Sequence, residues 1–342
     1  MNVTKQVFAE FEKLYGQCVI MKDGKPSKYF AAAEAQGSCI AIDAVDGTNE
    51  TVWDGPGGTM TLCQIGDNGD FYANEQFFPI FHGPECMLVH GTHTEAGYVI
   101  TPVQTIPYLH RFDVVNVGGE QVFVGATLAK WKENKDDWSQ PGEIMVGKLN
   151  ADPRQPMELK IIRKGITKNH GFVTTTLNGK PTIMITGIEG IFAVTLPEKF
   201  EDEWDVTCLI PTETSEACTV DIDGDGQDEI AMIEGFHGHR LVIYKEVEGQ
   251  WTEMFSKDIQ FGHGLWGGKL LGKDRLIAGW RQGTQELTCF TQENGSIQEF
   301  VLGAGGTSQF TVWEDETAAY VLSADRQAKG QIGQLALYTI TQ

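Results

Sequence analysis

A recurring unit of about forty to sixty residues constrains this chain more than any other feature. From residue 170 the sequence runs HGFVTTTL, a turn at NGK, PTIMITG, a turn at IEG, IFAVTLPE, a turn at KFEDE and then WDVT, ending at 207. Residues 218–258 repeat the plan as CTVDID, GDGQD, EIAMIEG, FHGH, RLVIYKEV, EG and QWTEMFSKD. Residues 263–303 repeat it again as HGLWGGKL, LGK, DRLIAGWRQ, GTQ, ELTCFTQE, NG and SIQEFVLG. Each unit holds four short apolar or alternating runs punctuated by Gly and Asn, the pattern of four β-strands joined by tight turns.

The same plan, less regular, covers 18–59, 60–109 and 110–165, and the last unit, from 309 to 342, holds only three runs. TKQVFAEF near the N-terminus supplies the fourth. Seven such units predict an all-β fold, a seven-bladed β-propeller of four-stranded blades whose ring is closed by the N-terminal strand. Blades are expected at about 18–59, 60–109, 110–169, 170–217, 218–262, 263–308, and 309–342 plus 1–17, as one domain. Two sandwich domains would have no use for a unit shared between the termini.

Charge narrows the partners. Lys and Arg total 26 against 47 Asp and Glu, a formal net charge of −21, which repels nucleic-acid backbones and anionic membranes. Neither is expected as a partner. No apolar run is long enough to span a bilayer, and the first residues lack the order of a signal peptide, so a cytoplasmic protein is expected. Seven scattered cysteines without a CxxC pair predict reduced, mostly buried thiols.

In a propeller the start of each innermost strand and the turn between strands two and three share one face; the other turns lie opposite. DIDGDGQDEI, at 221–230, falls on the opposite face. Asp221, Asp223, Asp225, the Gln227 carbonyl and Glu229 would form an oxygen cage suited to structural Ca²⁺, although an Asp-Gly turn closed by its own hydrogen bonds is the plain alternative.

The first face gathers nitrogen and sulfur. His110, His170, Cys218 and His263 are expected at the same inner-strand position in four consecutive blades, where they would hold zinc or a similar transition metal. Histidines that merely bond to channel water remain the alternative, and a slip of one residue would turn any of these side chains away. Rim turns add His237, His239, Arg281 and Glu75 as proton-transfer or charge-stabilising groups, and Trp138, Trp280, Gln282 and His82 as substrate contacts, with Arg326 and Lys329 further round.

The DIDGDGQDEI loop resembles the calcium loop of FG-GAP/VCBS propeller repeats, with Glu229 where the usual residue is Asp. HRFDVVNVGGEQVFVGATL, KDDWSQPGEIMVGKL and NGDFYANEQFFPIF are similar to segments of the FG-GAP-type propellers of the aldos-2-ulose dehydratase family. That resemblance implies a metal-binding propeller that eliminates water from keto-sugars; it fixes segments and assigns no residue a role.

The expected function is therefore a metal-assisted lyase or dehydratase acting on a small carbohydrate by β-elimination. Metal-dependent glycoside hydrolysis at the same site is one alternative. A non-catalytic propeller that binds a protein or glycan is the other, because the fold hosts many functions.

Overall fold

A computed structural model describes residues 1–78, 83–327 and 332–342. Every regular element among them is a β-strand, and no helix long and apolar enough to cross a membrane occurs there. Twenty-eight strands form seven four-stranded antiparallel sheets, the expected blade construction of a seven-bladed β-propeller.

The chain divides into two compact units. One comprises Met1–Glu10, His170–Leu196 and Asp205–Gln342; the other comprises Phe11–Asn169 and Pro197–Trp204. After β1 (Asn2–Phe11), the second unit holds three sheets. The first is β2 (Leu14–Lys22), β3 (Lys25–Ala33), β4 (Cys39–Asp43) and β5 (Asn49–Trp53). The next is β6 (Leu62–Ile65), β7 (Asp70–Glu75), β8 (Met87–Thr94) and β9 (Gly97–Thr105). The third is β10 (Leu109–Val117), β11 (Glu120–Thr127), β12 (Gly142–Lys148) and β13 (Lys160–Ile166).

The other unit holds four sheets. The fourth is β14 (Phe172–Leu177), β15 (Lys180–Gly187), β16 (Gly190–Thr195) and β17 (Asp205–Ile210). The fifth is β18 (Thr214–Val220), β19 (Glu229–Glu234), β20 (Arg240–Val247) and β21 (Gln250–Asp258). The sixth is β22 (Gly262–Leu270), β23 (Lys273–Trp280), β24 (Glu286–Glu293) and β25 (Ser296–Ala304). In the seventh, β26 (Thr307–Glu314), β27 (Ala319–Asp325) and β28 (Gly333–Thr341) are completed by β1, which pairs with β28.

Sequence explains the layering. Second and third strands such as IAMI in β19 and LVI in β20 are buried on both faces, because a sheet stacks on each side of them. Fourth strands such as QWTEMFSKD in β21 and SIQEFVLGA in β25 are largely exposed and alternating, and Lys257 and Glu299 pair across them at 2.7 Å. Charged outer strands also discourage edge-to-edge association. The NG turns predicted after β14 and β24 are two-residue hairpins with both φ positive: 52° and 74° at Asn178 and Gly179, 53° and 78° at Asn294 and Gly295.

Two strand starts differ from expectation. The first sheet begins at Leu14 and the fifth at Thr214, each four residues before the predicted Cys18 and Cys218. A register irregularity interrupts several first strands near their heads, leaving Tyr15, His110, Ser215 and His263 each between two paired neighbours. Such bulges re-aim a side chain without ending the strand.

The seam between β1 and the seventh sheet is locked by a buried carboxylate. Asp325, 1% exposed, accepts from Lys5 Nζ at 2.7 Å, Tyr338 hydroxyl at 2.6 Å and Ser323 Oγ at 2.6 Å. Asp325→Ala strands these donors and is expected to cost about 2–4 kcal/mol. Urea unfolding monitored by tryptophan fluorescence checks this; a loss under about 1 kcal/mol would show that the seam does not depend on Asp325.

Candidate functional site

Three imidazoles from the fourth, fifth and sixth sheets converge. His170 lies two residues before β14, His263 is the bulged second residue of β22, and His237 sits in the turn between β19 and β20. One ring nitrogen from each lies within 4.8 Å of the other two. His170 and His237 approach most closely, Nε2 to Nε2 at 3.2 Å. His170 and His263 are almost fully buried and His237 is half-buried.

Neighbours hold two rings from behind. His170 Nδ1 lies 2.5 Å from Glu216 Oε1, with Ser215 Oγ at 3.3 Å. His263 Nδ1 lies 2.6 Å from the Ser308 carbonyl oxygen. A carbonyl or carboxylate oxygen only accepts, so Nδ1 carries the proton in both rings and Nε2 is the atom each has left for a ligand. His237 is placed differently. Its φ is 50°, in the left-handed region that non-glycine residues seldom occupy. Its ring is packed by Phe236, at 4.1 Å between centroids, and stacked on Phe261 at 4.3 Å and 19°.

Other predicted ligands go elsewhere. Cys218 is the fifth residue of β18; it is buried in the apolar cluster with Val220, Ile233 and Leu276, and burial pushes its thiol well above the usual range. The strand-head position it was expected to hold belongs to Ser215. His110 does occupy a bulged strand head, but in the other compact unit, where its ring packs 5.3 Å from Phe77.

The predicted catalytic and substrate residues fall in both compact units. His239 is exposed and accepts from the Phe261 N–H through Nδ1 at 3.4 Å. Trp280 cannot offer a face to a sugar, being 3% exposed in the same apolar cluster as Cys218, with Nε1 donating to Thr284 Oγ1 at 3.0 Å. Trp138 is covered by the Lys132 ammonium, 3.1 Å from the ring centroid. Arg281 lies over Phe261 at 5.0 Å and Gln282 is exposed beside it. Glu75 ends β7 in the second unit, nearly buried. His82 and Lys329 lie outside the described residues.

The acidic turn departs from expectation in a specific way. Asp221, Asp223 and Asp225 do gather, but the cation among these carboxylates is the protein's own. Lys245 Nζ lies 2.7 Å from Asp223, 2.7 Å from Asp225 and 2.9 Å from the buried Glu229. Glu229 also accepts from the Ile222 N–H, Asp221 from the Gly226 N–H, and Gln227 is exposed with its N–H donating to Asp225. A lysine ammonium thus sits among the carboxylates expected to hold Ca²⁺. Sequence spacing could not reveal it, because Lys245 comes from β20.

No protein-family model and no curated protein sequence matches the chain. Solved structures do share its fold. The β-propeller domain of Cps50 (Swd1) from Myceliophteria thermophila aligns with TM-score 0.61 at 8% identity, over 99% of this chain and 100% of that one. A crystal structure of the mitotic checkpoint complex gives 0.60 at 6%, over 99% and 93%. The WD40 β-propeller domain of Doa1 gives 0.55 at 10%, over 100% and 98%.

These matches overturn the expected carbohydrate lyase. The Doa1 neighbour is a WD40 propeller, no protein-family model is matched, and the two tryptophans expected to stack on a sugar are buried or covered by a lysine.

Two predictions test the polar groups described above. Lys245→Met leaves three carboxylates, one fully buried, without their cation and should lower stability by about 2–3 kcal/mol in denaturant melts; an unchanged midpoint would show the ammonium to be incidental. Burial raises the Glu75 carboxyl from 4.5 to about 7. Since the folded chain holds that proton longer than the unfolded one, Glu75 costs stability progressively as pH rises from about 4.5 to about 7. Glu75→Gln should therefore match the parent in thermal stability near pH 4.5 and exceed it above pH 7. A gap independent of pH would refute this.

Proposed function

We propose that this protein is a non-catalytic binding propeller that engages a protein partner. The observation that carries the reading is the match, over essentially the whole chain, to the WD40 propeller of Doa1, the propeller of Cps50 (Swd1) and a chain of the mitotic checkpoint complex. Low identity limits that match to the fold, so the choice of surface rests on this chain's own loops.

The turns around the three histidines supply the surface. Phe261 and Arg281 form a cation–π pair at their rim, and a groove of about 380 Å³ beside them is lined by Ile259, Gln260, Gln282, Gly283 and Thr284. Aromatic and Arg side chains in such settings carry much of the energy of protein interfaces. The net charge of −21 favours a partner with a basic contact surface.

The test begins by cross-linking the protein in its native cells and producing the captured partner in pure form. Isothermal titration should then show Phe261→Ala and Arg281→Glu each weakening the complex by about 2 kcal/mol or more, roughly thirtyfold. Val247→Ala, at an exposed site at the end of β20, should leave affinity unchanged. Equal affinity for all three variants would move the interface elsewhere, and turnover of a keto-sugar panel by the pure protein would overturn the non-catalytic reading.

A further inference from the structure

We propose that His170, His237 and His263 bind one divalent transition-metal ion, with zinc the best fit, through their three Nε2 atoms. The inference goes beyond the binding reading and fails or stands without it, since no partner takes part.

Geometry provides the first argument. Tetrahedral zinc with Zn–N bonds near 2.0–2.1 Å needs its nitrogen ligands about 3.3–3.4 Å apart. His170 and His237 already place Nε2 atoms 3.2 Å from each other, and the third ring contributes within the 4.8 Å limit that encloses the set.

Tautomer provides the second. The Glu216 carboxylate and the Ser308 carbonyl fix the proton on Nδ1 of His170 and His263. Two Nε2 lone pairs therefore point into one small volume. The Glu216–His170 contact at 2.5 Å has the arrangement in which a carboxylate behind a ligating imidazole orients it and raises its basicity.

Donor chemistry provides the third. Three neutral imidazoles without a carboxylate in direct reach of the ion suit Zn²⁺ and its neighbours and disfavour Ca²⁺ and Mg²⁺, which require oxygen. Three protein ligands leave a fourth position for water or another small donor. The left-handed backbone at His237, with its ring held against Phe236 and Phe261, is the kind of local strain that persists where surrounding structure enforces a functional geometry. Ring packing and the His170–His237 contact are what the cluster amounts to if no metal binds.

Cobalt(II) alone is the probe, added to untagged full-length protein stripped by chelator. The wild type should take up one Co²⁺ per chain with the visible absorption of a tetrahedral site, and one equivalent of Zn²⁺ should displace it. His237→Ala and His263→Ala should abolish that spectrum, and Glu216→Gln should weaken binding about 10–100-fold. Circular dichroism and metal-free melting establish that each variant folds; should His263→Ala fail, His237→Ala, altered in a half-buried turn, decides. Asp223→Asn and Cys208→Ser should retain the spectrum. The proposal is overturned if the wild type gives no such band, if His237→Ala keeps it, or if either of those last two variants loses it.

Discussion

A single inserted residue near the head of a first strand governs much of what this protein can present to its surroundings. A regular strand sends alternate side chains to opposite faces, and in stacked sheets both faces are core. A bulge breaks that alternation once and releases one side chain from the packing. His263 and Ser215 are so placed, which is why one joins the histidine cluster and the other reaches the back of His170. Burial of Ala217, Cys218 and Val220 downstream in β18 depends on the alternation resuming at once.

The fold was legible because the period survives substitution: four apolar runs and their Gly and Asn turns recur even where residues differ. Strand starts were less so. In ACTVDID the apolar alternation extends backwards through TSEA, whose Thr214 and Ser215 carry no hydrophobic signal, so the fifth strand was begun four residues late and Cys218 took a role that sterically belongs to Ser215. His170 and His263 were found because each stands beside glycine at a visible strand start. His237 was placed on the correct turn, though FHGH does not announce which of its two histidines will meet His170.

Charge was harder to read than pattern. Acidic residues at alternating positions suggest a hard cation, and electrostatics requires only that some positive charge be near. Here Lys245, on the neighbouring hairpin, answers that need, as Lys132 does over the Trp138 ring. Lys132 stands six residues from the ring it covers, whereas Lys245 comes 16 residues after Glu229, outside the motif it completes. Motifs specify a demand for charge or an aromatic face, and the fold decides whether a ligand or the chain itself meets it.

The pairing of β1 with β28 bears on how the chain reaches this state. Lys5 and Asp325 are separated by 320 positions, so the seventh sheet is completed by one of the most non-local contacts a chain of this length allows, and such contacts form slowly. During synthesis β1 must wait as a lone strand while the sheets from 14 onward become available to fold. Its sequence, NVTKQVFAEF, is mostly exposed even when paired and carries Lys5 and Glu10 among its apolar residues, which keeps it soluble in the interval. Docking of β1 is then the step at which the β28 edge is covered by a charged outer strand, and its rate sets how long the β28 edge stays available to another chain.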